Sequence, residues 1–243
     1  MTWIKICGMT NLADALLAAD AGADAVGFVF YEKSPRNIGV EAAREIVEKL
    51  PEAVEKIGVS VNGSGVEAVP KVGLTGWQSY QFVAGEEPMS SAKAMGLGCF
   101  PNQSPRFLLS LRMNHRAEGE EEILKLVAGF ANLRKNLREE SPVLTGLMST
   151  IVLDSGDLRQ PGGTGKTFDW RKAVPIAEEM RRGGIDLVVA GGLTPENVGE
   201  AIEILKPWGV DVVSGVEARP GKKDPEKVRA FVRAVRERDG RTA

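Results

Sequence analysis

Two rhythms of apolar residues divide the chain. In the first, short runs are wholly apolar or alternate with period two, as in Trp3-Ile4-Lys5-Ile6-Cys7, Ala25-Val26-Gly27-Phe28-Val29-Phe30 and Leu187-Val188-Val189-Ala190. In the second, apolar residues return every three or four positions. Val40, Ala43, Ile46, Val47 and Leu50 do so, as do Val198, Ala201, Ile202 and Leu205, and Val228, Phe231, Val232 and Val235. The first rhythm reads as strand and the second as a helix with one apolar stripe. Strands this continuously apolar are those buried on both faces, as in a parallel sheet. The pattern predicts strands at 3–7, 24–30, 56–61, 77–83, 107–112, 149–154, 185–190 and 210–214, with helices between them.

A short phrase recurs where helix passes into strand: Gly22-Ala23-Asp24-Ala25-Val26, Gly184-Ile185-Asp186-Leu187-Val188 and Gly209-Val210-Asp211-Val212-Val213. Each glycine is expected to end its helix in the left-handed conformation, with the next strand following within two residues. Pro195 and Pro225 fall in the first turns of the last two helices, where a missing N–H costs little. Strictly alternating elements with parallel strands make a closed barrel or an open doubly wound sheet. Eight units in 243 residues favour the α/β class and a (βα)8 TIM barrel, as a single domain over residues 1–243.

The centre is less regular. Residues 84–106 carry Pro88, Pro101, Pro105 and a Gly96-Leu97-Gly98 break. Residues 113–148 hold a charged helix with Ile123, Leu124, Val127, Phe130 and Ala131 as its buried side. The fourth to fifth βα units are therefore expected to be enlarged. The run from Arg236 to Arg241 reads as a fraying helix end.

Composition narrows the function. Hydrophobic residues at 43% and charged residues at 26% suit a globular chain with a full core. A net charge of −2 gives no reason to expect nucleic acid or a membrane surface as partner. Two cysteines, Cys7 and Cys99, make no disulfide framework, so a reducing cytoplasm is the expected setting. No basic segment leads into a long apolar run at the N-terminus, so no signal peptide is expected.

In a barrel of this class the chemistry gathers at the C-terminal ends of the strands. Those ends carry Cys7, the loop from Tyr31 to Asn37 with Arg36, then Asp154, the loop Gly162-Gly163-Thr164-Gly165-Lys166, Gly191-Gly192 and Ser214-Gly215. Most free cysteines are simply small buried hydrophobes. Here the thiol shares the barrel mouth with a carboxylate, which allows an acid–base pair. Glycine turns after the seventh and eighth strands are where such barrels bind phosphate through backbone N–H groups. Arg36 has the fork geometry to hold a carboxylate, or it is a solvated surface arginine.

The motifs Lys5-Ile6-Cys7-Gly8-Met9-Thr10-Asn11, Ser34-Pro35-Arg36, Leu153-Asp154-Ser155, Gly163-Thr164-Gly165-Lys166-Thr167-Phe168-Asp169-Trp170, Ala190-Gly191-Gly192-Leu193-Thr194-Pro195-Glu196-Asn197-Val198 and Val213-Ser214-Gly215-Val216-Glu217 strongly resemble the phosphoribosylanthranilate isomerase family of tryptophan biosynthesis. The resemblance runs over residues 3–62 and 149–235. It implies an Amadori rearrangement of a small phosphosugar, with Asp154 as general acid at the ribose ring oxygen and Cys7 as general base at C2. It further implies Arg36 on the anthranilate carboxylate, Gly191, Gly192, Ser214 and Gly215 around the phosphate, and Asp211 helping to position substrate. No metal and no organic cofactor is required, because the substrate's own nitrogen serves as electron sink. The chain would work as a monomer or homodimer.

The family's fourth strand ends in Gln-Leu-His-Gly, whereas this chain has Gln81-Phe82-Val83-Ala84-Gly85. Val83 thus replaces a histidine that faces the family's active site. His115, the one histidine present, reads as a loop residue, and Cys99 has no evident role. Two alternatives stand beside the isomerase: a silent barrel retained for sugar-phosphate binding or assembly, and a related histidine-pathway isomerase. The latter family uses an aspartate at the first strand, where this chain has Cys7.

Overall fold

The computed structural model describes residues 1–61, 69–80, 106–113, 119–140, 149–156 and 167–241. Val83, Cys99, His115 and the loop 162–166 lie outside them. Eight parallel strands pair in chain order: β1 (Trp3–Cys7), β2 (Ala25–Val29), β3 (Glu55–Ser60), β4 (Gly76–Ser79), β5 (Arg106–Arg112), β6 (Thr150–Asp154), β7 (Asp186–Ala190) and β8 (Gly209–Val212). β8 then pairs with β1, Lys5 opposite Asp211, and closes the barrel. Around it run α1 (Leu12–Asp20), α2 (Val40–Val47), the short α3 (Val69–Val72), the long α4 (Gly119–Glu140), α5 (Val174–Arg182), α6 (Val198–Leu205) and α7 (Pro225–Arg241). A small hairpin, β9 (Glu217–Arg219) with β10 (Lys222–Lys223), follows β8.

Alternation along each strand sorts the side chains into two layers. Ile4, Ile6, Val26, Phe28, Ile151, Leu153, Leu187, Val189, Val210 and Val212 face outward and pack under the helix stripes. Ile123 and Val127 bring α4 into this layer, with Leu124, Phe130 and Ala131 packed beside them. The inward set forms a second cluster of Trp3, Ala25, Ile57, Leu108, Val152, Val188 and Ala190. Higher in the barrel the inward positions turn polar: Lys5, Gln78, Ser110 and Asp211, then Cys7 and Asp154.

The recurring glycine phrase splits into two structural roles. Gly22 and Gly184 end α1 and α5 with φ of +96° and +65°, as expected of a left-handed helix stop. Gly209 does not. Lys206 takes the left-handed cap of α6, with φ of +46°, and Gly209 lies within β8. A Cβ there would come within 2.9 Å of the Trp3 ring, so this glycine makes room for the tryptophan.

The C-terminal run is no fraying end. α7 holds through Arg241, and Asp239 accepts the Thr2 hydroxyl at 2.7 Å and the Thr2 N–H at 3.0 Å. Arg236 donates to the Thr2 carbonyl at 2.5 Å and to Asp24 at 2.9 Å. Charged residues at a helix end read as solvated in sequence because their partners, here at the opposite end of the chain, are invisible.

The lower rim is closed by aromatic stacking. Trp3 lies against Trp208, ring centroids 5.1 Å apart, and the Arg106 guanidinium sits 4.7 Å from the Trp208 ring. Glu55 accepts from Arg106 at 2.6 Å, so the cation is matched.

Candidate active site

Cys7 ends β1 and is buried, its thiol turned toward β2. Its cross-strand neighbour is Gly27, and a Cβ at that position would stand 2.4 Å from Cys7 Sγ. A glycine is required on β2 for the thiol to lie where it does. Two residues below, on the same face, Lys5 Nζ donates to Asp211 Oδ2 at 2.7 Å and Gln78 Oε1 at 2.8 Å. Gln78 continues to Ser110 Oγ at 2.9 Å, so the polar layer spans β8, β1, β4 and β5. Asp211 Oδ1 is buried without a hydrogen-bond partner.

The charges bear directly on the thiol. Burial pushes the Cys7 thiol up, Lys5 and Lys223 pull it down, and Asp211 adds to the rise, with a net upward shift. Burial works against the charge on Lys5, but Asp211 and Cys7 outweigh it, so the ammonium is held. Cys7 is therefore a neutral thiol at rest with a fixed cation beneath it, a place where a thiolate is tolerated once formed.

Asp154 ends β6, 3% exposed. Gly156 N–H donates to its Oδ1 at 3.0 Å and the Tyr80 hydroxyl to its Oδ2 at 2.6 Å. Burial raises the carboxyl's pKa, Tyr80 and Gly156 oppose it, Asp211 adds to the rise and Arg112 subtracts, with a net upward shift. A carboxyl that keeps its proton beyond the ordinary range is suited to donate one. Tyr80 feels Asp154, Asp211 and Cys7 together, which puts all three in one electrostatic neighbourhood.

Tyr80 marks a boundary that the sequence pattern misplaces. The expected strand 77–83 ends instead at Ser79, and Tyr80 is the residue at the tip of β4. Val83 lies outside the described residues.

Arg36 is buried over Gly8 and its fork is already engaged. Nε donates to Glu217 Oε1 at 3.0 Å and Nη2 to Glu217 Oε2 at 2.8 Å. Lys223, fully buried, donates to Glu217 at 3.3 Å, to the Cys7 carbonyl at 2.6 Å and to the Val213 carbonyl at 3.1 Å. The β9–β10 hairpin thereby fastens Arg36 to the tips of β1 and β8. Asp14 anchors the same hairpin from α1, accepting from Lys222 at 2.5 Å and from the Lys223 N–H at 2.8 Å.

The two glycine turns are close backbone crossings. Gly191 and Gly192 both have positive φ, +85° and +64°. A Cβ on Gly191 would meet Ser155 Oγ at 2.1 Å, and one on Gly215 would meet the Leu193 carbonyl at 1.8 Å. The ends of β6, β7 and β8 are thus pressed together with bare backbone. Gly191, Gly192, Ser214 and Gly215 remain partly exposed while the strands below them are buried.

Lys5, Tyr80, Arg112, Glu217 and Lys223 were not singled out by sequence reasoning. The one available signal was Lys5, a charge at an inward position of an otherwise apolar strand.

Three comparisons bear on this site. The family model described as N-(5'phosphoribosyl)anthranilate (PRA) isomerase matches residues 115–234. The N-(5'-phosphoribosyl)anthranilate isomerase of Rubrobacter xylanophilus is 39% identical over 245 residues, covering 97% of this chain and 100% of that protein. The crystal structure of phosphoribosyl anthranilate isomerase from Thermotoga maritima superposes with a TM-score of 0.74 at 35% identity, over 98% of this chain and 100% of that one. A phosphoribosyl anthranilate isomerase in complex with reduced 1-(o-carboxyphenylamino)-1-deoxyribulose 5-phosphate gives a TM-score of 0.71 at 34% identity, over 98% and 100% of the two chains.

Proposed function

This chain belongs to the N-(5'-phosphoribosyl)anthranilate isomerase family and is an isomerase of tryptophan biosynthesis, and from that premise we propose which of its residues carry the Amadori rearrangement. Asp154 is the general acid: it gives its proton to the ribose ring oxygen as the C1–O bond breaks, leaving an iminium. Cys7 is the general base: it removes the C2 proton, and the electron pair flows to the iminium nitrogen to give the enolamine. Tautomerisation then yields the ketose. Arg36, held rigid by Glu217, presents its outer guanidinium edge to the anthranilate carboxylate. Asp211 positions the sugar from below, and the backbone at Gly191, Gly192, Ser214 and Gly215 cradles the phosphate. Residues 1–243 act as one catalytic domain.

The observation that carries this assignment is the buried Asp154 carboxyl, biased toward its protonated form at the same barrel mouth as the Cys7 thiol. Both shifts run in the direction that suits an acid which acts first and a thiol that waits for a substrate proton made acidic by the iminium. No helix among the described residues is long and apolar enough to cross a membrane, and a cytoplasmic setting suits a free-thiol base.

The test is turnover of phosphoribosylanthranilate followed by loss of its anthranilate fluorescence, in the native chain and in Cys7→Ala. Native turnover that drops by about 10² or more in the variant, with an unchanged melting temperature, supports the pair. A variant as fast as the native chain removes Cys7 from the mechanism.

A further inference from the structure

We propose that Tyr80 is a positioning residue for ring opening: its hydroxyl, 2.6 Å from Asp154 Oδ2, orients the carboxyl and holds the carboxylate left behind when the proton departs. This rests on the reading of Asp154 as the acid and adds a residue to it.

The geometry is that of a prepared anion site. Asp154 has two oxygens, and each already faces a donor, Gly156 N–H on one side and Tyr80 O–H on the other. In the acid form both contacts are made to a neutral carboxyl. After transfer to the ring oxygen both are made to a carboxylate, and charge-assisted hydrogen bonds are about twice as strong as neutral ones. The donors therefore stabilise the conjugate base more than the acid, which is the differential that lowers a barrier. Tyr80 keeps its own proton throughout, since burial, followed by the charge and hydrogen bond of Asp154, pushes its hydroxyl well above the ordinary range.

The ring is braced from the neighbouring strand. Arg112 ends β5, directly opposite Asp154 in register, and its guanidinium lies over the Tyr80 ring at 5.2 Å from the centroid. Tyr80 N–H is tied to the Ser60 carbonyl of β3 at 3.3 Å, which fixes where the side chain leaves the backbone. The groups that face Asp154 are thus Tyr80 from β4, Arg112 from β5 and Asp211 from β8, and Tyr80 also faces Cys7 from β1.

The sign of the effect follows. Tyr80 favours the charged form of Asp154, so its removal raises the pH at which the carboxyl ionises and weakens the acid. In Tyr80→Phe the Asp154 midpoint, read in the substrate-free protein by ¹³C resonance of labelled aspartate and assigned with Asp154→Asn, is expected about one pH unit higher. The alkaline limb of the kcat profile moves up with it. The plateau kcat falls about tenfold and KM changes by less than about twofold.

A second probe keeps the shape intact. The chain has two tyrosines, so 3-fluorotyrosine incorporated in a Tyr31→Phe background labels position 80 alone. Its stronger donor hydroxyl is expected to lower the Asp154 midpoint, opposite to the phenylalanine variant. If neither substitution moves the midpoint while the melting temperature drops, Tyr80 is packing and the proposal is overturned. If the midpoint shifts as stated but native protein leaves phosphoribosylanthranilate unchanged, the hydrogen bond stands and the role given to Asp154 falls instead.

Discussion

The two rims of the barrel spend the same kind of residue in opposite ways. At the lower rim Arg106 lies against both indole rings and is neutralised by Glu55, and the aromatic faces of Trp3 and Trp208 close over one another. Trp3 Nε1 is buried there without a partner, but the cation and the two ring faces are matched. At the upper rim Cys7 and Asp154 are both driven away from their charged forms, Asp211 Oδ1 has no partner, and Arg112 Nε is buried without one. Burying polar groups unmatched costs free energy. The lower rim and the outer hydrophobic layer supply the stability that lets the upper rim stay unsatisfied, a division in which functional sites weaken a fold that is held elsewhere.

Substituting each rim in turn sharpens that contrast. The largest effect is expected at Asp154→Asn. Activity should fall by about 10³, because the amide has no proton to give at this pH. Stability should move the other way. A carboxyl whose pKa is raised by folding loses stability as pH rises above its unfolded value, near about 3.9, and through its folded one. The amide escapes that loss at neutral pH, so the melting temperature should rise by about 2–4 °C in calorimetry. A variant that is both inactive and less stable would erase the contrast.

Trp208→Ala should do the reverse. Opening the stack is expected to cost about 2–3 kcal/mol by urea denaturation, with kcat of the folded fraction within about twofold of native. Loss of turnover without loss of stability would mean that the lower rim reaches the chemistry.

The smallest effect is expected where the two behaviours meet. Glu217 sits at the mouth, yet it is fully matched by Arg36 and Lys223. Glu217→Gln should loosen Arg36 and raise KM about tenfold while leaving kcat nearly intact. Burial works to raise the Glu217 carboxyl, but Arg36 and Lys223 prevail and hold it below the ordinary range. Its contribution to stability is therefore present above the unfolded value, near about 4.3, and is lost as pH falls through the lower folded value. Native protein and variant should differ in urea midpoint at neutral pH and converge in strong acid.

Much of this plan was legible beforehand. Parallel strands buried on both faces announce themselves as apolar runs, and seven of the eight were expected to within two residues of their observed ends. β4 was not, because the Gln78-Ser79-Tyr80 tip is polar enough to look like mid-strand alternation and the run after it is again apolar. Tyr80 was missed for that reason alone. Arg36 was read with its fork free because Glu217 lies 181 residues away, and no local pattern reports a partner at that distance. The glycine turns read in sequence as candidate phosphate sites; the structure gives Gly191 and Gly215 a packing duty, letting the ends of three strands touch.

The Lys5–Asp211 pair has a bearing on how the molecule is made. The two residues stand 206 apart in the chain, one in the first strand of the barrel and the other in its last. At about 5–20 residues per second a ribosome delivers Asp211 some 10–40 s after Lys5. Through that interval the Lys5 ammonium on the Cys7 strand has Gln78 as an acceptor but no carboxylate to neutralise it, which favours keeping that strand hydrated at the edge of whatever has assembled. Its insertion is expected late in synthesis, after the eighth strand has left the tunnel.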